Sequence, residues 1–187
     1  MTLTVDAIKH EYWAEGIRLK SITECLKESG VIEKVYADDH ALWVGTATHR
    51  AIELWVKGTL NWESLDESLK PRVAAYADFV AKTAFNVIES ELPVHNSGMG
   101  LAGTLDLYGA FPDGVEGIVE IKSGAVAAWA GIQTAGQDIL LGGGKHRRRF
   151  GLKVPAHGPA VIRPFTDPDD YNVFLAAATI AHWRAAH

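Results

Sequence analysis

The sequence predicts an α/β fold, a central mixed β-sheet flanked by helices, and three observations carry that prediction. Apolar residues recur at helical spacing over the first half of the chain and again at its end. Between Asn86 and Lys122 the texture changes to short strand-like runs, two of them joined by a Pro112-Asp113-Gly114 turn. A helical stretch, a strand pair and a last helix then follow in turn. That order suggests a central mixed sheet flanked by helices.

The elements can be justified in order. Ser21-Ile22-Thr23-Glu24 has capping-box spacing and Gly30 supplies a stop, so a helix is expected over about Ile22 to Ser29. Asp38 and Asp39 can cap the next helix, running to about Lys57, with Leu42, Trp43, Ala47, Ala51, Leu54 and Trp55 as its apolar positions. Pro71 suits the first turn of a third helix whose inner stripe is Val73, Ala74, Ala77, Val80 and Ala81. Asn86 to Val94, Leu101 to Phe111 and Gly117 to Lys122 read as strands. Ala125 to Leu141 reads as a helix that Gly142-Gly143-Gly144 ends. Arg148 to Val154 and Ala160 to Phe165 form a closing strand pair. Asp167-Pro168 then opens a last helix with Phe174, Leu175, Ala178, Ile180 and Ala181 inward.

Composition narrows the function. A chain of 187 residues is long enough for one domain with a substantial core, here taken as 1–187. The net charge is −5, so any DNA-facing surface must be a local basic patch on an acidic body. One cysteine, Cys25, excludes an internal disulfide and argues against an iron–sulfur cluster. No apolar run has the length of a membrane span and no signal peptide is evident, so a cytoplasmic, membrane-free protein is expected.

The chemistry concentrates in Gly103-Thr104-Leu105-Asp106 and Val119-Glu120-Ile121-Lys122. Strand alternation places Glu120 and Lys122 on one face, and sets Asp106 opposite in sense to Leu105 and Leu107. A hairpin folded about Asp113 brings Asp106 opposite Glu120, where Cβ atoms lie about 4.5–5.5 Å apart and like charges repel. A lysine offsets part of that repulsion, and a hard cation such as Mg²⁺ requires such converging carboxylates. The same pattern also describes an ion-pair ladder, and spacing alone does not separate the two. The apolar neighbours Ile118, Val119, Leu105 and Leu107 favour internal strands, where charge needs a reason. By spacing alone His49, Glu91 and Gln133 are unremarkable.

The ordered set resembles the PD-(D/E)XK nuclease superfamily, specifically its RecB-like exonuclease branch with phage and λ-exonuclease-like members. Gly45-x-x-x-His49 resembles the helical histidine motif, Gly103-Thr104-Leu105-Asp106 the Gly-x-x-Asp strand, Glu120-Ile121-Lys122 the (Asp/Glu)-x-Lys strand, and Gln133 the helical glutamine. The resemblance implies a restriction-endonuclease-like αβββαβ core and a nuclease using one or two Mg²⁺ or Mn²⁺ ions. It implies that His49, Asp106, Glu120 and the Ile121 carbonyl are metal ligands, with Glu91 a further acidic candidate. Asp106, Glu120 and Lys122 would be the catalytic set. The chain departs from the branch at Gln133-x-x-x-Gln137, where the branch commonly has Gln-x-x-x-Tyr, and it lacks the cysteines of iron–sulfur relatives.

Gln133, Gln137, Arg50, Arg147, Arg148 and Arg149 are the candidate DNA contacts. The last three belong to the basic run Lys145-His146-Arg147-Arg148-Arg149, which reads either as a phosphate-contacting edge or as solvated surface. Trp13, Trp43, Trp55 and Trp129 are candidates for stacking, although helical spacing assigns Trp43 and Trp55 to the core. The leading expectation is metal-dependent hydrolysis of DNA, most simply exonucleolytic. A nuclease-fold module that only binds DNA or a protein, and a hydrolase acting on another substrate, are the alternatives. A homo-oligomer threading DNA and a recombination or replication partner protein are left open by analogy.

Overall fold

The computed structural model describes residues 2–6, 9–33, 38–143 and 147–187. Among them, eight strands form one mixed sheet and five helices cover it. The order is β1 (Leu3–Asp6), β2 (Glu11–Ala14), β3 (Ile17–Ser21), α1 (Ile22–Ser29), α2 (Asp39–Val56) and α3 (Lys70–Thr83). Then come β4 (Asn86–Asn96), β5 (Leu101–Ala110), β6 (Glu116–Lys122), α4 (Trp129–Leu140), β7 (Arg148–Lys153), β8 (Val161–Phe165) and α5 (Asp169–Ala186). The mixed sheet between helices is the architecture expected from the sequence.

The sheet forks at β5. One edge of β5 is paired along its length by antiparallel β4, from Asn86↔Ala110 to Asn96↔Leu101. The other edge is shared. Parallel β3 holds its start through Lys20↔Leu101 and Ser21↔Ala102, and antiparallel β6 holds its end from Leu107↔Val119 to Ala110↔Glu116. Between these, residues 103–106 of β5 have no strand partner on that edge among the described residues. The hairpin register is the expected one, but the ladder stops one position short of Asp106 and Glu120. Helix α1 begins where β3 ends, and a Cβ on Gly103 would lie 2.8 Å from Ile22 Cδ1. A side chain at 103 would contest the space that the Ile22 side chain fills.

Side-chain alternation also breaks at the fork. Leu101 and Leu105 pack into a cluster with Ile22, Leu26 and Phe174, whereas Leu107 packs with Ile52, Tyr76, Val119 and Ile121. Leu105 and Leu107 were expected on one face; they join different cores. Opposite Asp106, between the pairs Ser90↔Leu107 and Leu92↔Leu105, Glu91 has φ 52. A non-glycine residue in the left-handed region is a local strain that regular strands avoid.

The helices form two layers. Helices α1, α4 and α5 share the first cluster, and α2 and α3 share the second. A Cβ on Gly136 would lie 2.6 Å from the Phe174 ring, so a glycine is required for α4 and α5 to meet. Three sequence expectations are corrected. In α2 the buried stripe is Val44, Thr48, Ala51 and Ile52, which leaves Leu42 57% and Trp43 46% exposed. Trp43 lies about 100° around the helix from Val44, outside that stripe. In α3 the buried side is set by Val73, Tyr76 and Phe79, because two large rings bury more apolar area than alanines. In α5, Leu175 and Ile180 are exposed, while Phe174, Ala177, Ala178 and Ala181 face inward. The three N-terminal strands had no counterpart in the sequence reading, and α4 starts later than expected, at Trp129.

Helix α1 carries the predicted capping box. Ser21 Oγ accepts from Glu24 N–H at 3.0 Å, and Glu24 accepts from Ser21 N–H at 3.3 Å. Burial alone would raise the Glu24 carboxyl, but the Arg18 guanidinium, bonded at 3.1 and 3.2 Å, and the Ser21 N–H hold it below its usual range. A lowered folded-state value contributes stability that is present above the unfolded value and lost as pH falls through the folded one. Glu24→Gln, which keeps the cap but not the charge, should cost under about 1 kcal/mol near pH 7, because the pair is partly solvent-screened. Urea unfolding should show that difference shrinking toward zero in acid; a constant difference from pH 7 to pH 3 would contradict this account.

Candidate active site

Asp106 sits on β5 just past the end of its ladder with β6, buried, and its Oδ2 accepts the Ile121 N–H at 2.6 Å. That bond replaces the ladder that the fork interrupts, and it ties the carboxylate to β6. Helix α2 lays His49 beside it. His49 Nε2 lies 3.1 Å from the Ile121 carbonyl. A carbonyl only accepts, so Nε2 carries a proton and Nδ1 is the atom turned to the acids. Nδ1 is 3.4 Å from Asp106 Oδ1 and 3.7 Å from Glu91 Oε1. One ligand atom each from His49, Glu91 and Asp106 lies within 4.8 Å of the others.

Glu120 faces helix α4 and is 3% exposed. Its Oε1 accepts from Lys122 Nζ and Gln133 Nε2, both at 2.8 Å, and its Oε2 accepts from Gln137 Nε2 at 3.0 Å. Glu120, expected among the metal ligands, therefore stands outside the three-residue group and is held by N–H donors, with one lone pair on Oε2 not taken by these bonds. Lys122, 21% exposed at its side chain, spans from Glu120 to the face of Trp129, 5.1 Å from the ring centre.

Burial and charge set the protonation states. Burial raises the Glu120 carboxyl, and the Asp106 charge raises it further, against Lys122 and Gln137. Burial works the same way on Asp106, but His49 and then Lys122 outweigh it and hold that carboxyl below its usual range. For His49 and Lys122, burial disfavours the cation, yet the neighbouring carboxylates win and both are raised, chiefly through Asp106 for His49 and Glu120 for Lys122. A proton on His49 Nδ1 thus sits between the Asp106 and Glu91 side chains. One imidazole nitrogen and two carboxylate oxygens, converging and separated by a proton, are a fitting donor set for a divalent cation. The Ile121 carbonyl, expected as a ligand, here fixes the tautomer and orientation of His49.

The remaining candidates divide. Gln133, expected to position Lys122 or the DNA strand, and Gln137, expected to touch DNA, are both buried against Glu120, and Gln133 shares Glu120 Oε1 with Lys122. Arg50 is exposed beside His49 and bonds Glu53 at 2.5 Å. The basic run does not form the expected outward edge in its described part. The Arg147 side chain, 4% exposed, bonds Asp138 at 2.6 Å and Glu116 at 2.8 Å. Arg149, equally buried, bonds the Gly131 and Asp167 carbonyls and pairs with Asp170 at 3.1 Å. Strand alternation turns these two inward, where carboxylates of α4, β6 and α5 neutralise them. Arg148 points out and pairs with Asp113 at 2.5 Å. Lys145 and His146 lie outside the described residues. Trp55 meets Tyr76 edge-on in the core as expected, whereas Trp129 belongs to the site through Lys122.

Two supporting residues escaped the sequence reading. Arg72 donates to the carbonyls of Ser123 and Val154 at 2.9 and 2.8 Å, pinning the chain just after Lys122. Tyr12, from the unpredicted N-terminal strands, lies 3.0 Å from Thr104 Oγ1. Neither has a local signal, since each contact joins residues far apart in sequence.

No family model and no curated protein matches the chain. Solved structures do. The crystal structure of a putative exonuclease from Eubacterium rectale aligns over 88% of this chain and 78% of its own, with TM-score 0.56 and 12% identity. The crystal structure of SSO0001 aligns over 87% and 84%, with TM-score 0.41 and 13% identity. At such identity the first likeness shows a shared fold and nothing finer.

The donor set makes a prediction that needs no substrate. Mn²⁺ at about 100 times its dissociation constant should stabilise the fold by about 2.7 kcal/mol, a rise of roughly 5–10 °C in melting temperature for this size. Asp106→Ala or His49→Ala should remove the rise. An equal rise in a protein lacking His49, Glu91 and Asp106 together would place the ion elsewhere.

Proposed function

We propose that this chain is a metal-dependent deoxyribonuclease of the PD-(D/E)XK type, hydrolysing phosphodiester bonds and acting from DNA ends. The observation that carries this reading is the fork, where Asp106, Glu120 and Lys122 converge beside the His49–Glu91–Asp106 donor set. A structural ion-pair ladder would pair its charges completely across two strands. Here the strands part, and an imidazole from another element is brought to the gap.

His49 Nδ1, Glu91 and Asp106 would hold the ion, with Glu120 able to contribute its remaining lone pair. Three ligands support one ion. The imidazole favours Mn²⁺, while the carboxylates suit either Mn²⁺ or Mg²⁺. A bound divalent ion supplies Lewis-acid polarisation of the scissile phosphate and acidifies a water for attack. The protein's own groups do the rest. The Ile121 N–H and carbonyl fix Asp106 and His49, so the donor set is preorganised. Glu120 and the Trp129 face hold the Lys122 ammonium at the mouth of the fork. From there it can orient water and stabilise negative charge building on the phosphate. Arg50, exposed next to His49, would meet the DNA backbone.

End-labelled linear and closed circular DNA, each with Mg²⁺, Mn²⁺ or EDTA, test this reading. Linear DNA should be degraded only with the divalent ion, and Lys122→Ala should slow it by at least about 100-fold while keeping DNA binding. Cleavage in EDTA, or undiminished in that variant, would refute it. DNA retention without turnover under every metal would favour the binding-module reading.

A further inference from the structure

We infer that Gln137 is a positioning residue that bridges the fork, holding β5 and β6 at the separation the site requires; the inference rests on the nuclease reading above. The side chain is 1% exposed, so nucleic acid does not reach it. Its amide nitrogen has two hydrogens, and each has an acceptor on a different strand. One goes to Glu120 Oε2 of β6 at 3.0 Å, the other to the Thr104 carbonyl of β5 at 3.2 Å. Thr104 belongs to the segment of β5 that has no strand partner on the β6 side, so Gln137 supplies a donor where a continuous ladder would have supplied one.

The orientation of this amide is fixed by chemistry. Flipped, it would set an oxygen against a carboxylate and a carbonyl, both acceptors. As placed, its own Oε1 is buried with no hydrogen-bond partner among the described residues, as is that of Gln133. An acceptor is left unsatisfied while both donors are used, which is the arrangement expected when the donors are what the position is for. Gln133, one turn earlier on α4, donates to Glu120 Oε1 alone. Gln133 therefore helps to orient a carboxylate, whereas Gln137 ties that carboxylate to the opposite strand. Thr104 is in turn held through its hydroxyl by Tyr12. Without Gln137, Glu120 keeps its Oε1 bonds but is free to rotate about them, and Lys122 moves with it.

The test compares the unaltered 187-residue chain with Gln137→Met, which has similar length and no donor, and with Gln137→Asn, which keeps the amide but falls one methylene short of both acceptors. DNA turnover and Mn²⁺ affinity by calorimetry are measured on each. Gln137→Met should lower kcat 10- to 100-fold with KM for DNA unchanged within twofold, and should weaken Mn²⁺ binding several-fold. Gln137→Asn should do the same, and serves alone if the methionine variant does not fold. A rise in KM at unchanged kcat would make Gln137 a DNA contact and overturn the inference. So would wild-type kcat and Mn²⁺ affinity in either variant, while leaving the nuclease reading intact. If the unaltered chain cleaves no DNA, the nuclease reading fails, and the Mn²⁺ affinities still decide whether Gln137 holds the site.

Discussion

Two carboxylates buried where a sheet splits must be neutralised from several directions at once, and most of this fold supplies the means. At about 5 Å and an effective dielectric near 20, two like charges repel by roughly 3 kcal/mol. Asp106 and Glu120 avoid a direct cross-strand opposition because the β5–β6 ladder ends at Leu107↔Val119. Past that point each acid acquires its own environment. Asp106 takes a backbone N–H and an imidazole, and Glu120 takes an ammonium and two amides. Burial and the Asp106 charge push the Glu120 carboxyl up against those donors, whereas His49 and Lys122 outweigh burial at Asp106 and hold it down.

Each layer of the molecule contributes one part of that arrangement. Strand β3 ends at Ser21, and α1 fills the space beside Gly103. Helix α2 contributes His49 from one side of the sheet, and α4 contributes Gln133 and Gln137 from the other. Strand β4 contributes Glu91 through a left-handed residue opposite Asp106. The buried Arg147 and Arg149 serve another purpose. They fasten α4, α5 and β7 together through Asp138, Asp170 and two carbonyls, and so hold the helix that carries the glutamines. Such buried pairs add little net stability, but removing one partner leaves the other uncompensated.

Much of this was legible in the sequence where the signal is local. The Ser21–Glu24 capping box, the Asp38 cap and the turn at Pro112-Asp113-Gly114 each depend on a few adjacent residues, and each places its element correctly. The juxtaposition of Asp106 with the Glu120–Lys122 strand follows from that turn. Non-local features were not legible. Strands β1 to β3 are only four or five residues long, and Tyr12, Ala14 and Leu19 become core residues only once Ala102 covers them. Alternation predicts one face for Leu105 and Leu107, but the fork divides them between two cores. A run of arginines reads as surface by composition, yet Arg147 and Arg149 are turned inward to acids that are distant in sequence or on another element. Gln137 reads as a missing aromatic, and only the fork shows what an amide can do there.

In the proposed site a divalent ion would be bound by His49, Glu91 and Asp106. A crystal soaked in Mn²⁺ and measured for anomalous scattering near the manganese edge tests this directly. The account predicts a peak within about 2.5 Å of His49 Nδ1 and of a carboxylate oxygen from each of Glu91 and Asp106. A fully occupied peak elsewhere, with these three side chains still joined only to one another, would contradict it.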